Sequence, residues 1–452
     1  MRFELRRPPE WGADPVPAEK RVLRGFDIGV LWFSLGVGLL VLATGALLVG
    51  LVGLTLIEAV LVTAVGSVIG SLMLAGAGLI GSRYGVPSMV SLRPVLGRRG
   101  SYVPTALNVL QLIGWTAFEV MIIAEAATYV LGQPQGSAAN YGFVVGFGLF
   151  CGFLAYGGPL VVIRQWLEKF GVWLVIALTV LLTVVLFSNP AAPGAWGGFS
   201  SPPTSLSLGL DLVIVMPISW WPLVADFNRF ARRPREAAAS TATGYAAANI
   251  WFYILGAGAV AILGLSNPIA AVGALALFGL PLLVLLVDET DNAFANIYSS
   301  GVSTQNLLPR MRQPRLVALF TALGIGLGAA LTFAGGFSMA LVTYEPFLLF
   351  IGGFFVPLLG VLAADWFVVR RGIYSPEEFR SAGPRWRLVP LAAWGVGVIV
   401  YFALSGIWLL RVDAVLAVGG SLPSFGVAFV LYAALSRLIP ADRPAGQRAP
   451  GA

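Results

Sequence analysis

Apolar residues in this chain fall into runs of about twenty or more, separated by short polar connections, the spacing of helices that each cross a hydrocarbon layer of about 30 Å. Read in order, the runs predict spans near 27–50, 56–80, 102–130, 141–160, 166–188, 207–227, 239–263, 274–307, 316–333, 339–369, 388–408 and 414–436. That makes twelve. The third, eighth and tenth exceed one straight crossing, so tilt, kinks or protruding ends are expected there. Residues 1–26 are polar and basic, with no short apolar stretch leading to a small-residue cleavage site. The first span is therefore expected to serve as its own uncleaved membrane signal.

Composition strengthens the membrane reading: 58% of the 452 residues are hydrophobic and 11% are charged, against about 25% charged in soluble domains. The chain has no His and one Cys, Cys151, which excludes disulfide frameworks, zinc and haem sites and Cys/His catalysis. No cofactor is expected, and an enzyme has little to work with. The net charge of +7 has a topological explanation. With the N-terminus inside, 27 of the 28 Lys and Arg residues fall on the cytoplasmic face and only Arg411 on the other. The expected placement is an inner (plasma) membrane with both termini cytoplasmic. Basic residues spread around one membrane face do not form a nucleic-acid groove, so no nucleic acid partner is expected.

Two spans look interrupted. The first reads Phe26-Asp27-Ile28-Gly29-Val30-Leu31-Trp32-Phe33-Ser34-Leu35-Gly36-Val37-Gly38, and the sixth reads Asp211 through Met216-Pro217-Ile218-Ser219-Trp220-Trp221-Pro222. Glycines in one and prolines in the other weaken the helical hydrogen-bond ladder near mid-membrane. A serine and a tryptophan stand beside each break, which makes Ser34, Ser219 and Trp220 candidate substrate contacts. The two spans are five apart, and an odd offset means an inverted second unit. Paired broken helices in corresponding positions point to a secondary transporter with its site at the midplane. Gly and Pro are also common in membrane helices for packing alone.

Most acidic residues lie in loops or toward span ends, and the informative ones inside the spans are Glu119, Glu125, Asp288, Glu289 and Asp291. Each costs about 2.5 to 3.5 kcal/mol on insertion scales, and such groups commonly line a pathway. Trp115 and Glu119 are four residues apart, hence on one face of span three. An indole plane beside a carboxylate suits a flat nitrogen-rich ring, stacked on one and hydrogen-bonded by the other. Glu125 falls off that face, nearer the outer end. Span eight, from Asp288 to Asn306, is too polar for a lipid-facing helix. Its Ser299 and Ser300, with carbonyls freed at the break in span one, suit a small hard cation such as Na⁺. Asp288 and Asp291 are candidate coupling groups. At the inner end of span six, Asp226 and Arg229 are candidates for a gate or orienting ion pair, and Asp365 through Arg371 closes span ten in the same style.

Gly114-Trp115, Ala225-Asp226-Phe227-Asn228-Arg229-Phe230, and Asp291-Asn292-Ala293 through Tyr298-Ser299-Ser300-Gly301 to Asn306 together resemble the nucleobase:cation symporter-1 family of purine, cytosine, hydantoin and thiamine-precursor permeases, over roughly residues 15–435. The resemblance implies an all-α polytopic membrane fold of twelve transmembrane helices, a five-plus-five inverted-repeat core of the LeuT type plus two extra helices. The expected units are a cytoplasmic segment 1–26, a first repeat 27–188, an inverted repeat 207–369, two further helices 388–436 and a cytoplasmic tail 437–452. Trp115 would stack on the substrate ring and Glu119 would hydrogen-bond it, with Gln305 or Asn306 as a further contact. Ser299 and Ser300 look like sodium ligands, completed by main-chain carbonyls around Leu35 and Gly38 and near Asn296. Some members carry a second stacking Trp in span six; here Met216-Pro217 stands near that point and Trp220 slightly later. Met-Pro-Ile-Ser-Trp-Trp-Pro and the Glu at 119 look closest to the hydroxymethylpyrimidine permeases.

The expected function is cation-coupled import, with Na⁺ or H⁺, of a nucleobase-like small molecule such as hydroxymethylpyrimidine or cytosine, by alternating access. A monomer in the bilayer suffices for that. An amino-acid or polyamine transporter of the same fold is the alternative, and a membrane-embedded enzyme or channel is a third option.

Overall fold

The computed structural model describes residues 11–161, 171–275, 280–380, 385–405 and 419–439. Among them, helices stand where the apolar runs predict twelve spans. Span one is broken into Gly25–Ser34 and Leu39–Gly50, bent by 58°. Spans two to six are Leu56–Tyr84, Tyr102–Val130, Ala138–Gly157, Val172–Phe187 and Pro203–Asn228. Spans seven to nine are Pro234–Leu263, Leu280–Leu307 and Gln313–Phe333. Span ten is Gly336–Ala363, continued by a π-helical turn Ala364–Val369. Leu388–Leu404 and Ser421–Leu438 complete the set. Eight of the described helices are long and apolar enough to cross a membrane, nine with the bent pair counted as one. The start expected for span five, the segment 406–418 and Arg411 lie outside the described residues.

Packing sorts the helices into groups. Span two lies along spans six and seven, and span seven runs against both halves of span one. Spans three, four, eight and nine pack together as a second group, and spans ten, eleven and twelve as a third, with span ten also against span six. Lipid offers no hydrophobic drive between helices, so close approach has to come from small residues. Span two shows how its sequence achieves this. Leu61, Val65, Val68 and Leu72 form an exposed stripe three to four residues apart, while Gly66 and Gly70 face span six, where a Cβ at Gly70 would sit 2.7 Å from the Pro217 ring.

Span six is not interrupted, contrary to the expectation from its prolines: Pro203–Asn228 is one helix with Pro217 and Pro222 inside it. Side chains of neighbouring helices bond to carbonyls close to both prolines. Tyr253 donates its hydroxyl to Leu212 O (3.2 Å), Gln111 Nε2 to Ser219 O (3.2 Å) and Asn108 Nδ2 to Pro222 O (3.3 Å). Ser219 Oγ donates to Met216 O at 2.7 Å. These bonds tie span six to spans seven and three, and Gly70 of span two leaves room for the Pro217 ring. Span one has the true break. There Leu35–Gly38 leave the helical ladder and the chain restarts at Leu39.

Candidate functional site

The break in span one is held open by span eight. Asp288 and Asp291 are three residues apart, as are Glu289 and Asn292, so span eight presents two adjacent rows to the break. On one, Ser34 Oγ donates to Asp288 Oδ1 at 3.0 Å, and Asp291 lies beside the same hydroxyl. That hydroxyl has a single proton to give. On the other, Glu289 accepts the N–H of Leu39, the first residue of the second half-helix, and that of Leu40. Asn292 Nδ2 pins the arrangement by donating to Val37 O at 3.1 Å and Glu289 Oε2 at 3.2 Å. A Cβ at Gly38 would lie 3.0 Å from Glu289 Oε1, so the glycine lets backbone and carboxylate meet.

Span three brings the aromatic wall. Trp115 and Glu119 are one turn apart, and both are buried, at 6% and 3% exposure. The Glu119 carboxyl lies within hydrogen-bond reach of Glu289, so the Trp–Glu face and the helix break belong to one site. The Trp115 ring is met edge-on by Tyr344 (5.8 Å) and Phe347 (5.3 Å) of span ten. Tyr344 in turn donates its hydroxyl to Leu40 O at 3.2 Å. The indole Nε1 and Glu119 Oε2 have no hydrogen-bond partner among the described residues. A buried donor and a buried acceptor left unmatched one turn apart are the pattern of a ligand site.

The other candidate residues have the following partners. Trp220 packs edge-on against Trp32 at 6.2 Å, and Trp32 Nε1 donates to Asn228 Oδ1 at 2.9 Å. Ser219 spends its hydroxyl on its own helix, as described above. Glu125 accepts the Phe337 N–H at 2.7 Å and so caps the outer start of span ten. Ser300 Oγ donates to Asn296 O at 2.8 Å, and Ser299 faces Asp226. Both serines lie about two turns beyond the residues that touch Leu35–Gly38. The Gly38 carbonyl accepts the Leu42 N–H at 3.0 Å.

Two expectations need correcting. Gln305 and Asn306 do not face the Trp115–Glu119 pair. Asn306 accepts from Arg93 Nε (2.9 Å) and donates to Ser101 Oγ (3.1 Å) and Thr105 Oγ1 (2.8 Å). Thr105 precedes Trp115 by ten residues, about 15 Å of helix rise, so Asn306 ties down the cytoplasmic end. Gln305 Nε2 is used by Met311 O at 2.9 Å. Asp226 and Arg229 lie within electrostatic reach of each other but make their hydrogen bonds to different partners. Asp226 Oδ1 accepts the Ser88 N–H at 3.0 Å, while Arg229 donates to Gly12 O (2.7 Å) and Tyr298 Oη (3.1 Å). Arg229 thereby straps the segment before span one across the inner end. Asp365 accepts from Tyr374 Oη at 2.7 Å and from Tyr432 Oη, joining span ten to span twelve.

A sequence profile described as "Permease for cytosine/purines, uracil, thiamine, allantoin" matches residues 15–421. The chain belongs to that family. Curated relatives include a putative purine-cytosine permease of Bacillus subtilis, 25% identical over 82% of this chain and 81% of the relative. The hydantoin permease of Microbacterium maritypicum is 23% identical over 92% and 90%, and the cytosine permease of Escherichia coli is 25% identical over 82% and 83%. Among solved structures, Mhp1, a nucleobase-cation-symport-1 transporter in a closed conformation with bromovinylhydantoin bound, superposes with a TM-score of 0.79 at 20% identity, covering 98% of this chain and 97% of that one. A Na⁺-coupled sialic acid symporter gives 0.63 at 13% identity, with 94% and 93% covered. The permease therefore has the all-helical, LeuT-type transporter fold, and it is a multi-pass membrane transporter, not an enzyme.

Proposed function

We propose that this permease imports a pyrimidine-type base carrying a ring amino group, with 4-amino-5-hydroxymethyl-2-methylpyrimidine and cytosine as the favoured substrates, by alternating access coupled to Na⁺ or H⁺. One observation carries the reading: the buried Trp115 plane with Glu119 one turn away, each with an unmatched polar atom. A ring nitrogen beside an exocyclic amino group offers an acceptor and a donor side by side, which a carboxyl group can meet at two points. Permeases for cytosine, purines and hydantoin among the relatives favour a flat heterocycle over an amino acid or polyamine. The concentration of Lys and Arg in one set of loops supports an inner-membrane orientation with cytoplasmic termini.

A thermal-shift screen of purified protein against aminopyrimidines, cytosine, uracil, hydantoin and purines tests the substrate class. A true ligand at a hundred times its Kd adds about 2.7 kcal/mol of stability. If no member of the panel raises Tm, the reading is wrong. Coupling is tested separately. If sodium acts through Ser299 and Ser300, Ser299→Ala and Ser300→Ala each reduce sodium-stimulated uptake about tenfold or more while base binding without sodium is kept, as loss of a cation-ligating oxygen predicts. Uptake that never responds to sodium favours proton coupling through Glu119, Asp288 or Asp291.

A further inference from the structure

The second half of span one, Leu39–Gly50, is a twelve-residue helix that begins in the middle of the protein. Its first N–H groups have no partners within the helix, and the aligned peptide dipoles leave partial positive charge at that end. In transporters with interrupted helices, such ends point at anionic groups of the substrate. Here the end is already occupied. Glu289, itself fully buried, accepts the Leu39 and Leu40 N–H groups, and Asn292 holds its other oxygen. The groups around it are Glu119 from span three, Asp288 and Asp291 on its own helix, Asn292, and Tyr344 from span ten by way of Leu40 O. The charged side chains in that set are all acidic.

We propose that Glu289 is a specificity-determining residue: its carboxylate acts as a tethered anion at the helix end and restricts the site to substrates that bring no anionic group there. The inference rests on the base-binding reading and adds the charge class of the ring. A second carboxylate entering beside Glu289 would find the N–H donors taken and meet like charge in a desolvated place, which is how a site rejects a near-identical ligand. The unmatched Trp115 Nε1 and Glu119 Oε2 remain for a ring that offers both acceptor and donor.

The test uses the full-length protein, as wild type and as three variants, Glu289→Ala, Glu289→Gln and Asp288→Asn, with formate and with two ring pairs, cytosine and cytosine-5-carboxylate, and uracil and uracil-6-carboxylate. Formate is expected to raise the Tm of E289A and leave that of the wild type unchanged, because only the variant has a vacant helix end. In the wild type, each ring is expected to bind about 100-fold or more better than its carboxylate, and E289A narrows that ratio by about tenfold or more. E289Q keeps an acceptor for Leu39 but not the charge, and is expected to narrow the ratio in the same direction as E289A. The proposal is overturned if formate does nothing to E289A although that variant melts cooperatively, if the wild type accepts carboxylated rings as well as their parents, or if D288N relaxes charge preference as much as E289A. A wild type that binds no ring at all overturns the base-binding reading alone, since the formate experiment needs no ring.

Discussion

Replacing Trp115 by alanine is expected to weaken base binding by about 10- to 100-fold, the loss of a base–aromatic stack worth about 1 to 3 kcal/mol. The effect is expected to be large because the indole is buried against Tyr344 and Phe347, so the truncation removes a wall and leaves those two rings without support. Trp115→Phe keeps a stacking surface and loses the Nε1 donor, so its affinity is expected to lie between those of wild type and W115A. Equilibrium binding of labelled base to purified protein measures both. Unchanged binding in W115A would remove Trp115 from the site and, with it, the main support for a stacked heterocycle.

The second large effect is structural. A Cβ at Gly256 in span seven would lie 1.9 Å from Leu42 O in the second half of span one, and one at Gly45 would lie 2.2 Å from Tyr253 O. Both obstacles are backbone atoms, which cannot swing aside as a flexible side chain would. Gly256→Ala is therefore expected to destabilise by about 3 kcal/mol, at the upper end of overpacking costs, by pushing the half-helix off span seven. Gly146→Ala on span four is the control, because nothing lies within 4 Å of its added Cβ. There the usual helical advantage of Ala over Gly, about 0.5 to 1 kcal/mol, is expected to show. Thermal unfolding in detergent compares the two. Equal Tm values would mean that spans one and seven do not pack this closely.

These packing contacts mark where legibility in the sequence stops. Hydropathy runs place twelve spans because every crossing must be both apolar and long, a property each segment carries by itself. The pairing of Trp115 with Glu119 was equally legible, since a four-residue spacing fixes a shared helix face whatever lies opposite. Pro217 and Pro222 misled for the converse reason. Whether a proline breaks a membrane helix depends on what packs around it, and span two meets the Pro217 ring at Gly70 while side chains of spans seven and three bond span six close by. Asn306 is a similar case: the family resemblance marked it as a substrate contact, but its amide is bonded to Arg93, Ser101 and Thr105.

Glu289 shows the division within a single short stretch. The sequence alone established that Asp288, Glu289 and Asp291 lie inside the membrane without a nearby basic residue, and that alternate members of the group share a face. It could not say which face meets the break in span one, some 250 residues earlier in the chain. The tertiary structure decided that, turning Asp288 to Ser34 and Glu289 to the Leu39 N–H. Local spacing and hydropathy are properties of a helix, so the sequence determined the spans, their orientation signal and the stock of buried chemistry. The role of each buried group depends on the helix packed against it, and only the assembled bundle supplies that neighbour.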